Sequence, residues 1–336
     1  MQTKGWGVIG ASTIARQYMI RAINAQPDSR VVAILSGSEQ RARTLADEFD
    51  VPRTYVDLDA FLGDPNLDVV YVSSTNERHK AETIAAARAG RHVLCEKPLA
   101  LNLADAQAMI RACQEADVVM GTNHHLRNAA THRQLRKMLK GGAIGKPLAA
   151  RVFHAVSLPE NLQTWRINNP EAGGGVILDI TVHDTDTLRF ILGEEVCEVT
   201  AMQAAQGMGT GGVEDAVMGV MRFESGLLAQ FHDGFTVGHA GTGLEIHGIH
   251  GSLIAEDVMT QRPVGRVYLQ SDDERFEFTP PRREDLYTRA VRHFNRAVDG
   301  DGTPSATAED GLRSLAVALA VREAARTGRC TKVQYG

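Results

Sequence analysis

The chain of 336 residues is long enough for two domains with full hydrophobic cores, at the usual ~100 to 200 residues per domain. Lysine and arginine total 36 against 41 acidic residues, for a net charge of -5, and like charges form no block, so neither nucleic acid nor a membrane is an expected partner. No apolar run approaches the ~18 residues of a membrane span, and the first residues lead directly into a strand, so we expect a cytoplasmic protein. The cysteines form no C-x-x-C pair, which indicates reduced structural thiols; they are Cys95, Cys113, Cys197 and Cys330.

Between about residues 6 and 121, short runs rich in Val and Ile alternate with amphipathic segments. The strand-like runs are "WGVIGA", "RVVAILS", residues 67–74, "HVLCEK" and "DVVMGTN", and the helix-like segments are residues 13–25, 39–49, 78–89 and 104–115. Strands that alternate with helices predict parallel βαβ units, and strands that are apolar throughout predict a sheet covered on both faces. We therefore expect an α/β domain over residues 1–122 with the doubly wound parallel sheet of the Rossmann fold.

The pattern changes after residue 123. Helices are predicted over 128–140 and 176–192, on either side of "ARVFHAVSL", and five strand candidates then follow with only turns between them: "EVTAMQAA", "DAVMGVMRF", "LLAQFHDGF", "GLEIHGIHGSL" and "GRVYLQ". Two helices close the chain, over 285–299 and from the cap-like "TAED" at 307–310. Consecutive strands pair antiparallel, so residues 123–336 are predicted to form an α+β domain with a mainly antiparallel open sheet.

The turn after the first strand carries an altered dinucleotide-binding fingerprint. In the pattern G-x-G-x-x-G/A, Gly10 takes the first position, Ser12 replaces the second glycine and Ala15 takes the third. The Ser12 hydroxyl can donate to a phosphate oxygen beside the N–H groups that begin the next helix. An ordinary tight turn is the alternative, but its place after the first strand of a βαβ series favours cofactor binding.

The end of the second strand predicts which dinucleotide binds. Enzymes that use NAD place an acidic residue here for the ribose hydroxyls, but "VVAILSGSEQRAR" has Ser36, then Ser38 as a predicted N-cap and Arg41 in the first helical turn. A helix N-terminus, hydroxyls and a guanidinium would attract the 2'-phosphate that a carboxylate would repel. This segment therefore favours NADP(H), unless Ser38 only caps the helix and Arg41 is only solvated.

Two longer segments carry a family resemblance. "SSTNERHKAETIAAARAGRHVLCEKPLA" (73–100) and "EAGGGVILDITVHDTDTLRF" (171–190) resemble the Gfo/Idh/MocA oxidoreductases, the group of glucose-fructose oxidoreductase and inositol dehydrogenase. The resemblance covers both halves of the chain, and the pairing of "EKP" with GGG-x3-D-x3-H is specific to that family. It implies a dinucleotide-dependent oxidoreductase that acts on a sugar or polyol.

The chemistry that the resemblance implies fits three residues. Reduction of a ketone needs a cation to polarise the carbonyl and an acid to supply a proton, and Lys97 and His183 can fill these roles in either assignment. Lys97 lies at the carboxyl end of a parallel strand, and Pro98 fixes the turn and can form a cis peptide. Asp179 and His183 are spaced i, i+4 on a predicted helix, after a glycine run that allows a ligand to approach closely. The alternatives are a solvated lysine and an ordinary ion pair.

The resemblance also implies a set of cofactor contacts. Beside Gly10 and Lys97, these residues are Ala11, Ser12, Thr13, Ile14, Ser36, Gly37, Arg41, Ser74, Thr75, Asn76, Glu77, Arg78, His79, Glu96, Asn123, Trp165, Arg166 and Tyr287. Lys97, Asp179 and His183 are the implied substrate contacts. We expect no metal, because His124, His125, His132 and the later histidines lack the close ligand spacing of a metal site. Cys95 is expected to be a buried strand residue.

These observations favour an NADPH-dependent reductase of a small sugar-derived ketone. One alternative is a polyol or inositol dehydrogenase of the same family, which usually runs on NAD and is disfavoured by the missing acid. Another is a non-enzymatic dinucleotide-binding regulator. The presence of Lys97, Asp179 and His183 together disfavours it, because a regulator has no need of a proton donor. The sequence leaves open whether the protein is a monomer or a homo-oligomer.

Overall fold

The computed structural model describes residues 3–272, 274–280 and 283–336. Within them the chain forms two compact units. The first unit comprises the residues up to His124 together with Tyr287–Leu312, and the second comprises His125–Leu286 together with Arg313–Gly336. Across the described residues, no helix is both long enough and apolar enough to cross a membrane.

The first unit is built on a six-stranded parallel sheet in the order β3-β2-β1-β4-β5-β6. Its strands are β1 (Lys4–Ile9), β2 (Ser29–Leu35), β3 (Arg53–Tyr55), β4 (Val69–Val72), β5 (His92–Cys95) and β6 (Met120–Thr122). Its helices include α1 (Ile20–Asn24), α2 (Glu39–Glu48), α3 (Leu58–Leu62), α4 (His79–Arg88) and α5 (Leu103–Glu115). All residues of β1 and β4 are buried, as expected for strands covered on both faces. The predicted doubly wound sheet is confirmed.

Side-chain caps begin several of the helices, among them α2 and α5. The Ser38 hydroxyl accepts a hydrogen bond from the Arg41 N–H at 3.4 Å, which confirms the predicted cap of α2. Asn102 caps α5 in the same way. At the start of α10 (Ala308–Thr327), Thr307 Oγ1 accepts from the Asp310 N–H while an Asp310 oxygen accepts from the Thr307 N–H. This reciprocal pair satisfies two N–H groups that the helix itself leaves unbonded.

The segment Tyr287–Leu312 packs with the first unit, although the sequence pattern predicts that all of 123–336 belongs to the second domain. The Trp6 and Phe294 rings contact edge to face with centroids 5.5 Å apart, and Asn295 donates to the Ser29 hydroxyl at 2.6 Å. The Thr122 N–H donates to the Ala306 carbonyl at 3.1 Å. These contacts join residues far apart in sequence, and reading the elements in chain order does not reveal them.

The second unit is built on a nine-stranded sheet in the order β14-β13-β12-β11-β7-β10-β9-β8-β15. Its strands are β7 (Pro147–Ala155), β8 (Val196–Ala204), β9 (Ala216–Phe223), β10 (Leu228–Gly234), β11 (Gly243–Gly248), β12 (Gly251–Glu256), β13 (Arg266–Ser271), β14 (Glu274–Phe278) and β15 (Thr331–Lys332). Only β7 and β10 pair parallel among the described strands of this sheet, which confirms the mainly antiparallel prediction. The other helices of the chain are α6 (Ala130–Lys140), α7 (Trp165–Asn168), α8 (Val182–Leu192) and α9 (Leu286–Val298).

Two predicted α-helices contain π-helical turns instead of a continuous α-helix. One covers Ala15–Met19 before α1, and the other covers Ile177–Thr181 before α8, where the Val182 N–H donates to the carbonyl five residues back. Hydrophobic spacing does not separate these cases, because the buried residues of the first turn, Ala15 and Met19, also suit an α-helix. Such turns occur often at functional sites, and these two lie beside the predicted cofactor and catalytic residues.

Candidate active site

The turn after β1 requires glycine at its first position. Gly10 has a φ of +95°, and a Cβ there would lie 2.8 Å from the Ser73 carbonyl oxygen at the end of β4. Ser12 begins the following helix, because its hydroxyl accepts from the Ala15 N–H at 3.2 Å and donates to the Ser73 hydroxyl at 3.0 Å. The turn thus combines close backbone packing with a helix N-terminus, the arrangement that binds pyrophosphate in Rossmann folds. Ala11, Thr13 and Ile14 are each half-buried beside it.

The end of β2 lacks a carboxylate. Ser36 is buried there, and its N–H donates to the Tyr55 carbonyl at 3.1 Å. Gly37 is exposed with open space where a Cβ would stand, and Arg41 is exposed in the first turn of α2. Glu39, the first acidic residue after the strand, pairs with Arg43 at 2.6 Å. This surface can accept a phosphate group without a carboxylate at the strand end to repel it.

Residues 74–79 form the connection between β4 and α4. Asn76–Arg78 is a 3-10 turn, and the Thr75 hydroxyl donates to Glu77 at 2.6 Å. The Ser74 hydroxyl donates to Glu82, and Arg78 pairs with the same carboxylate at 3.0 Å. Asn76 and His79 are buried, whereas Glu77 and Arg78 are exposed. The segment therefore forms a hydrogen-bonded edge directly after the strand beside β1.

Glu96 is fixed by its neighbours on adjacent strands. The Tyr71 hydroxyl donates to Glu96 Oε1, and Asn123 Nδ2 donates to the same oxygen at 2.6 Å. Burial raises the pKa of Glu96, and these hydrogen bonds together with the Lys97 charge oppose that shift. Glu96 and Asn123 thus lie together at the carboxyl edge of the sheet. Tyr287, which is also in the first unit, is buried and stacks on Tyr18 with centroids 4.8 Å apart.

Lys97 follows this edge at the start of a fixed turn. Its side chain is half-buried, and the Lys97–Pro98 peptide is cis, which confirms that the proline adopts this isomer. The Pro98 carbonyl lies 3.0 Å from His79 Nδ1, and His79 is fully buried. The backbone on both sides of Lys97 is therefore held by β5 and by the 74–79 segment. Cys95, the last residue of β5, is also buried, and burial raises the pKa of its thiol well above the usual value.

In the second unit, Asp179 lies in the π-helical turn before α8. Arg166 Nε is 3.5 Å from Asp179 Oδ2, and the Arg166 guanidinium stacks over the Trp165 ring at 4.6 Å. All three side chains are half-buried. The structure therefore brings Asp179 together with Trp165 and Arg166, two predicted residues from which it is separated in sequence.

Two glycines of the run before this turn lie against other groups of the protein and not against space for a ligand. A Cβ on Gly174 would lie 2.7 Å from the Trp165 carbonyl oxygen, and one on Gly175 would lie 2.3 Å from Glu214 Oε1. Glu214 Oε1 accepts from the Ile177 N–H at 3.1 Å, so this carboxylate caps the helix. Two of the three glycines thus allow neighbouring protein groups to approach.

His183 lies in the first turn of α8 and is buried within a group of histidines. Its ring contacts that of His125 edge to face, with centroids 4.8 Å apart, and the His154 ring lies 6.4 Å away. His154 Nδ1 is 2.7 Å from Asp184 Oδ1. Asp184 is buried with Asp233, and the sequence pattern does not predict this pair. The sequence does place Asp184 directly after His183, but the motif GGG-x3-D-x3-H ends at His183 and does not include it.

No group of three or more ligand residues in the described part of the chain could hold a metal ion. The four cysteines, all within that part, are free thiols.

A parallel sheet in the order 3-2-1-4-5-6, with a glycine turn leading from β1 into a helix, defines the class of dinucleotide-binding Rossmann proteins. The particular family follows from the sequence of both units. Residues 4–124 match the family model described as the oxidoreductase family with an NAD-binding Rossmann fold, and residues 132–254 match the GFO/IDH/MocA C-terminal domain. The chain belongs to the Gfo/Idh/MocA oxidoreductase family, which confirms the resemblance found in the sequence.

Individual relatives cover almost the whole chain. It is 54% identical to 1,5-anhydro-D-fructose reductase of Ensifer adhaerens, over 98% of this chain and 99% of that protein. It is 31% identical to myo-inositol 2-dehydrogenase of Thermotoga maritima, over 98% of each chain. A crystal structure of a 3-ketoreductase from Actinomadura kijaniata with NADP and TDP-benzene superposes with a TM-score of 0.87 at 26% identity, covering 96% of this chain and 98% of that one. The family is thus one of sugar oxidoreductases that bind NAD(P).

Proposed function

We propose that this protein reduces 1,5-anhydro-D-fructose at its C2 carbonyl to 1,5-anhydro-D-mannitol, with NADPH as the reductant. The observation that carries the substrate assignment is the 54% identity to an enzyme of that name over nearly the full length of both chains. Short stretches point the same way, among them "GASTIAR", "VSSTNERH" and "RVFHAVSLP". The proposal places most cofactor contacts in residues 1–122 and substrate binding in residues 123–336, apart from Tyr287–Leu312, which pack with the first unit. It places the protein in the cytoplasm.

The preference for NADPH is supported by the end of β2. Ser36, Gly37 and the first turn of α2 leave an open surface, with Arg41 exposed at its side. A guanidinium and a helix N-terminus would stabilise a 2'-phosphate, whereas the ribose hydroxyls of NADH lack the carboxylate partner that they commonly have. The crystal structure of the 3-ketoreductase with NADP belongs to a protein of the same fold.

In the proposed reaction, NADPH when bound supplies the hydride that converts the ketone into an alkoxide. Lys97 polarises the carbonyl with its ammonium group, and His183 donates the proton that the alkoxide needs. Asp179 orients the substrate and balances the nearby charge of Arg166, which lies 3.5 Å away. In the reverse assignment, His183 polarises the carbonyl and Lys97 donates the proton. The Lys97 and His183 variants described in the Discussion distinguish the two assignments.

The remaining site residues are proposed to hold the cofactor. The turn after β1 would bind pyrophosphate through Gly10, Ala11, Ser12, Thr13 and Ile14, and the adenosine side would contact Ser74, Thr75, Asn76, Glu77, Arg78 and His79. Glu96, Lys97 and Asn123 would lie at the nicotinamide, and Trp165, Arg166 and Tyr287 would complete the set.

The test is turnover against a panel of sugar ketones, osones and polyols with NADPH, NADH and the oxidised forms. We expect reduction of 1,5-anhydro-D-fructose with NADPH at the highest kcat/KM, and a product that co-elutes with 1,5-anhydro-D-mannitol. Activity with inositol and NAD+ alone would replace the proposal with a polyol dehydrogenase. No turnover with any pair, together with retained NADPH binding, would favour a regulator.

A further inference from the structure

Three ionisable side chains, those of His154, Asp184 and Asp233, lie close to His183. Strand register explains why two of them are neighbours. β7 and β10 pair parallel, and in this register His154 and Asp233 are directly opposite each other. Both side chains are buried, as is Asp184 in α8. His154 Nδ1 is 2.7 Å from Asp184 Oδ1, and the Thr181 hydroxyl donates to Asp233 Oδ2 at 2.5 Å.

The two carboxyl groups also interact, because each affects the pKa of the other. Each has one further buried oxygen, Oδ2 of Asp184 and Oδ1 of Asp233, and among the described residues no donor outside the pair reaches either atom. Two buried carboxylates in contact cannot both be ionised at an acceptable cost, because each is desolvated and repels the other. One of them must therefore carry a proton and donate it to its partner.

The surroundings show which carboxyl group keeps the proton. Burial and the neighbouring Asp184 hold the pKa of Asp233 well above its usual range. Burial also raises the pKa of Asp184, to about 7, while the hydrogen bond from Asp233 opposes that shift. His154 Nδ1 lies 2.7 Å from Asp184 Oδ1, whereas Asp233 Oδ2 accepts from the neutral Thr181 hydroxyl. This arrangement favours Asp233 as the donor and Asp184 as the group that ionises. When the pH rises through about 7, Asp184 loses its proton and a negative charge forms beside His154. Asp184 directly follows His183 in the sequence.

We propose that Asp184 and Asp233 act as positioning residues that set the protonation of His183, with Asp233 as a protonated donor to Asp184 and the Asp184 charge favouring the protonated imidazole of His183. This inference rests on the proposed function in one respect, because only the proposed function makes His183 the proton donor. Asp184 acts through its charge and through His154, whose ring lies 6.4 Å from that of His183. As Asp184 ionises, the histidines retain a proton at pH values where a buried imidazole alone would lose it.

Other charged or titratable groups face this cluster from the elements packed around it. Their contributions are present in the wild type and in each variant below, so comparison between variants isolates the Asp184 charge. His125, from the turn before α6, contacts the His183 ring, and His132 from α6 interacts through its charge with His154. Asp179, in the π-helical turn one turn before His183, is paired with Arg166 of α7.

The direct test is an NMR titration of the ligand-free protein with 13C-labelled histidine rings, with the His183 resonance assigned by its loss in His183→Gln. We expect Asp184→Asn to lower the His183 titration midpoint by about one pH unit, because the favourable charge never forms. Asp233→Asn should leave the midpoint in place, because the new amide still donates to Asp184. Asp233→Leu removes that donor, delays ionisation of Asp184 and should lower the His183 midpoint.

The matched control is Asp215→Asn, which alters a buried aspartate of the same unit whose oxygens accept from the backbone N–H groups of residues 206, 208 and 209. It should leave the His183 midpoint unchanged. An unchanged or raised midpoint in Asp184→Asn would overturn the proposal. If Asp184→Asn does not fold by circular dichroism, the two Asp233 variants decide, and equal shifts in both would overturn it.

Turnover provides the second measurement and separates this proposal from the proposed function. In Asp184→Asn the alkaline limb of kcat for ketone reduction should move down by about one pH unit, which is a ~10-fold loss on that limb with little change at pH 6. If the wild type reduces no sugar ketone, the proposed function fails while the NMR titration still tests the coupling. A normal alkaline limb in Asp184→Asn with an active wild type would reject the link to His183.

Discussion

The proposed cofactor site of the first unit and the proposed acid–base site of the second are built from different chemical groups. Around Gly10 the structure uses backbone, because a φ of +95°, a helix start and a close approach to Ser73 define the turn. Around His183 it uses buried side chains, with histidines and aspartates contributed by α8, β7 and β10. A backbone site presents N–H groups whose charge does not change with pH, whereas a side-chain site can gain and lose protons.

This difference suits the two proposed roles. A phosphate group needs fixed donors, and substitution at one side chain should weaken binding without abolishing it. Proton donation to an alkoxide needs a titratable group in a set environment, and removing it should reduce the chemical step far more than binding. The variants below test this contrast, beginning with the largest expected effect.

Lys97→Met should produce the largest loss. The substitution keeps the length of the side chain and removes its charge, so carbonyl polarisation should fall and kcat should drop by about 10²- to 10³-fold, a barrier increase of ~3 to 4 kcal/mol. Steady-state kinetics with NADPH measure this, and circular dichroism checks the fold. Lys97→Arg serves as the matched variant, which keeps the charge and should retain part of the activity. An unfolded Lys97→Met would mean a structural role, and unchanged turnover would reject both roles.

His183→Ala should lower kcat for ketone reduction by about 10²-fold while NADPH binding persists, because the proton supply is lost and the nucleotide contacts lie in other residues. Fluorescence titration with NADPH measures binding separately from turnover. The control is His247→Ala, a histidine on β11 whose ring bonds the Ser252 hydroxyl at 2.8 Å and which should leave kcat unchanged. Near-normal turnover in His183→Ala would make Lys97 the acid.

The two ends also differ in how far the sequence predicted them. Gly10, the Ser38 cap and the strand that leads to Lys97 were found because each depends on neighbours within a few residues. The Asp184–Asp233 pair was missed because it depends on the register between β7 and β10, which are far apart in sequence and joined only by pairing. The same reason applies to Tyr287–Leu312 in the first unit, whereas the π-helical turns were missed because hydrophobic spacing alone does not distinguish them from an α-helix.

At the cofactor end, Arg41→Ala should reduce kcat/KM for NADPH by about 10- to 100-fold, the value of a charge-assisted hydrogen bond of roughly 1.5 to 3 kcal/mol. NADH has no 2'-phosphate and should respond little. Arg43→Ala is the matched control on the same helix, because this exposed arginine pairs with Glu39 instead. Kinetics with both cofactors measure the effect, and equal losses for NADPH and NADH would assign Arg41 a role in the fold alone.

Ser36→Asp should have the smallest effect in size but the most specific one in direction. The new carboxylate would stand at the end of β2, where it can accept from the ribose hydroxyls of NADH and repel the 2'-phosphate of NADPH. We therefore expect a loss of about 10-fold for NADPH and a gain for NADH, measured as kcat/KM for each cofactor with the same ketone. Ser36 is buried, so Ser36→Asn is needed as the uncharged variant of the same size. If Ser36→Asn and Ser36→Asp lower kcat/KM equally for NADPH and NADH, the strand end supports the fold and does not select the cofactor.

A change in cofactor preference with Ser36→Asp alone would show that one side chain alters selectivity at a site otherwise built from backbone. The contrast between the proposed cofactor site and the proposed acid–base site would then hold only for the pyrophosphate turn.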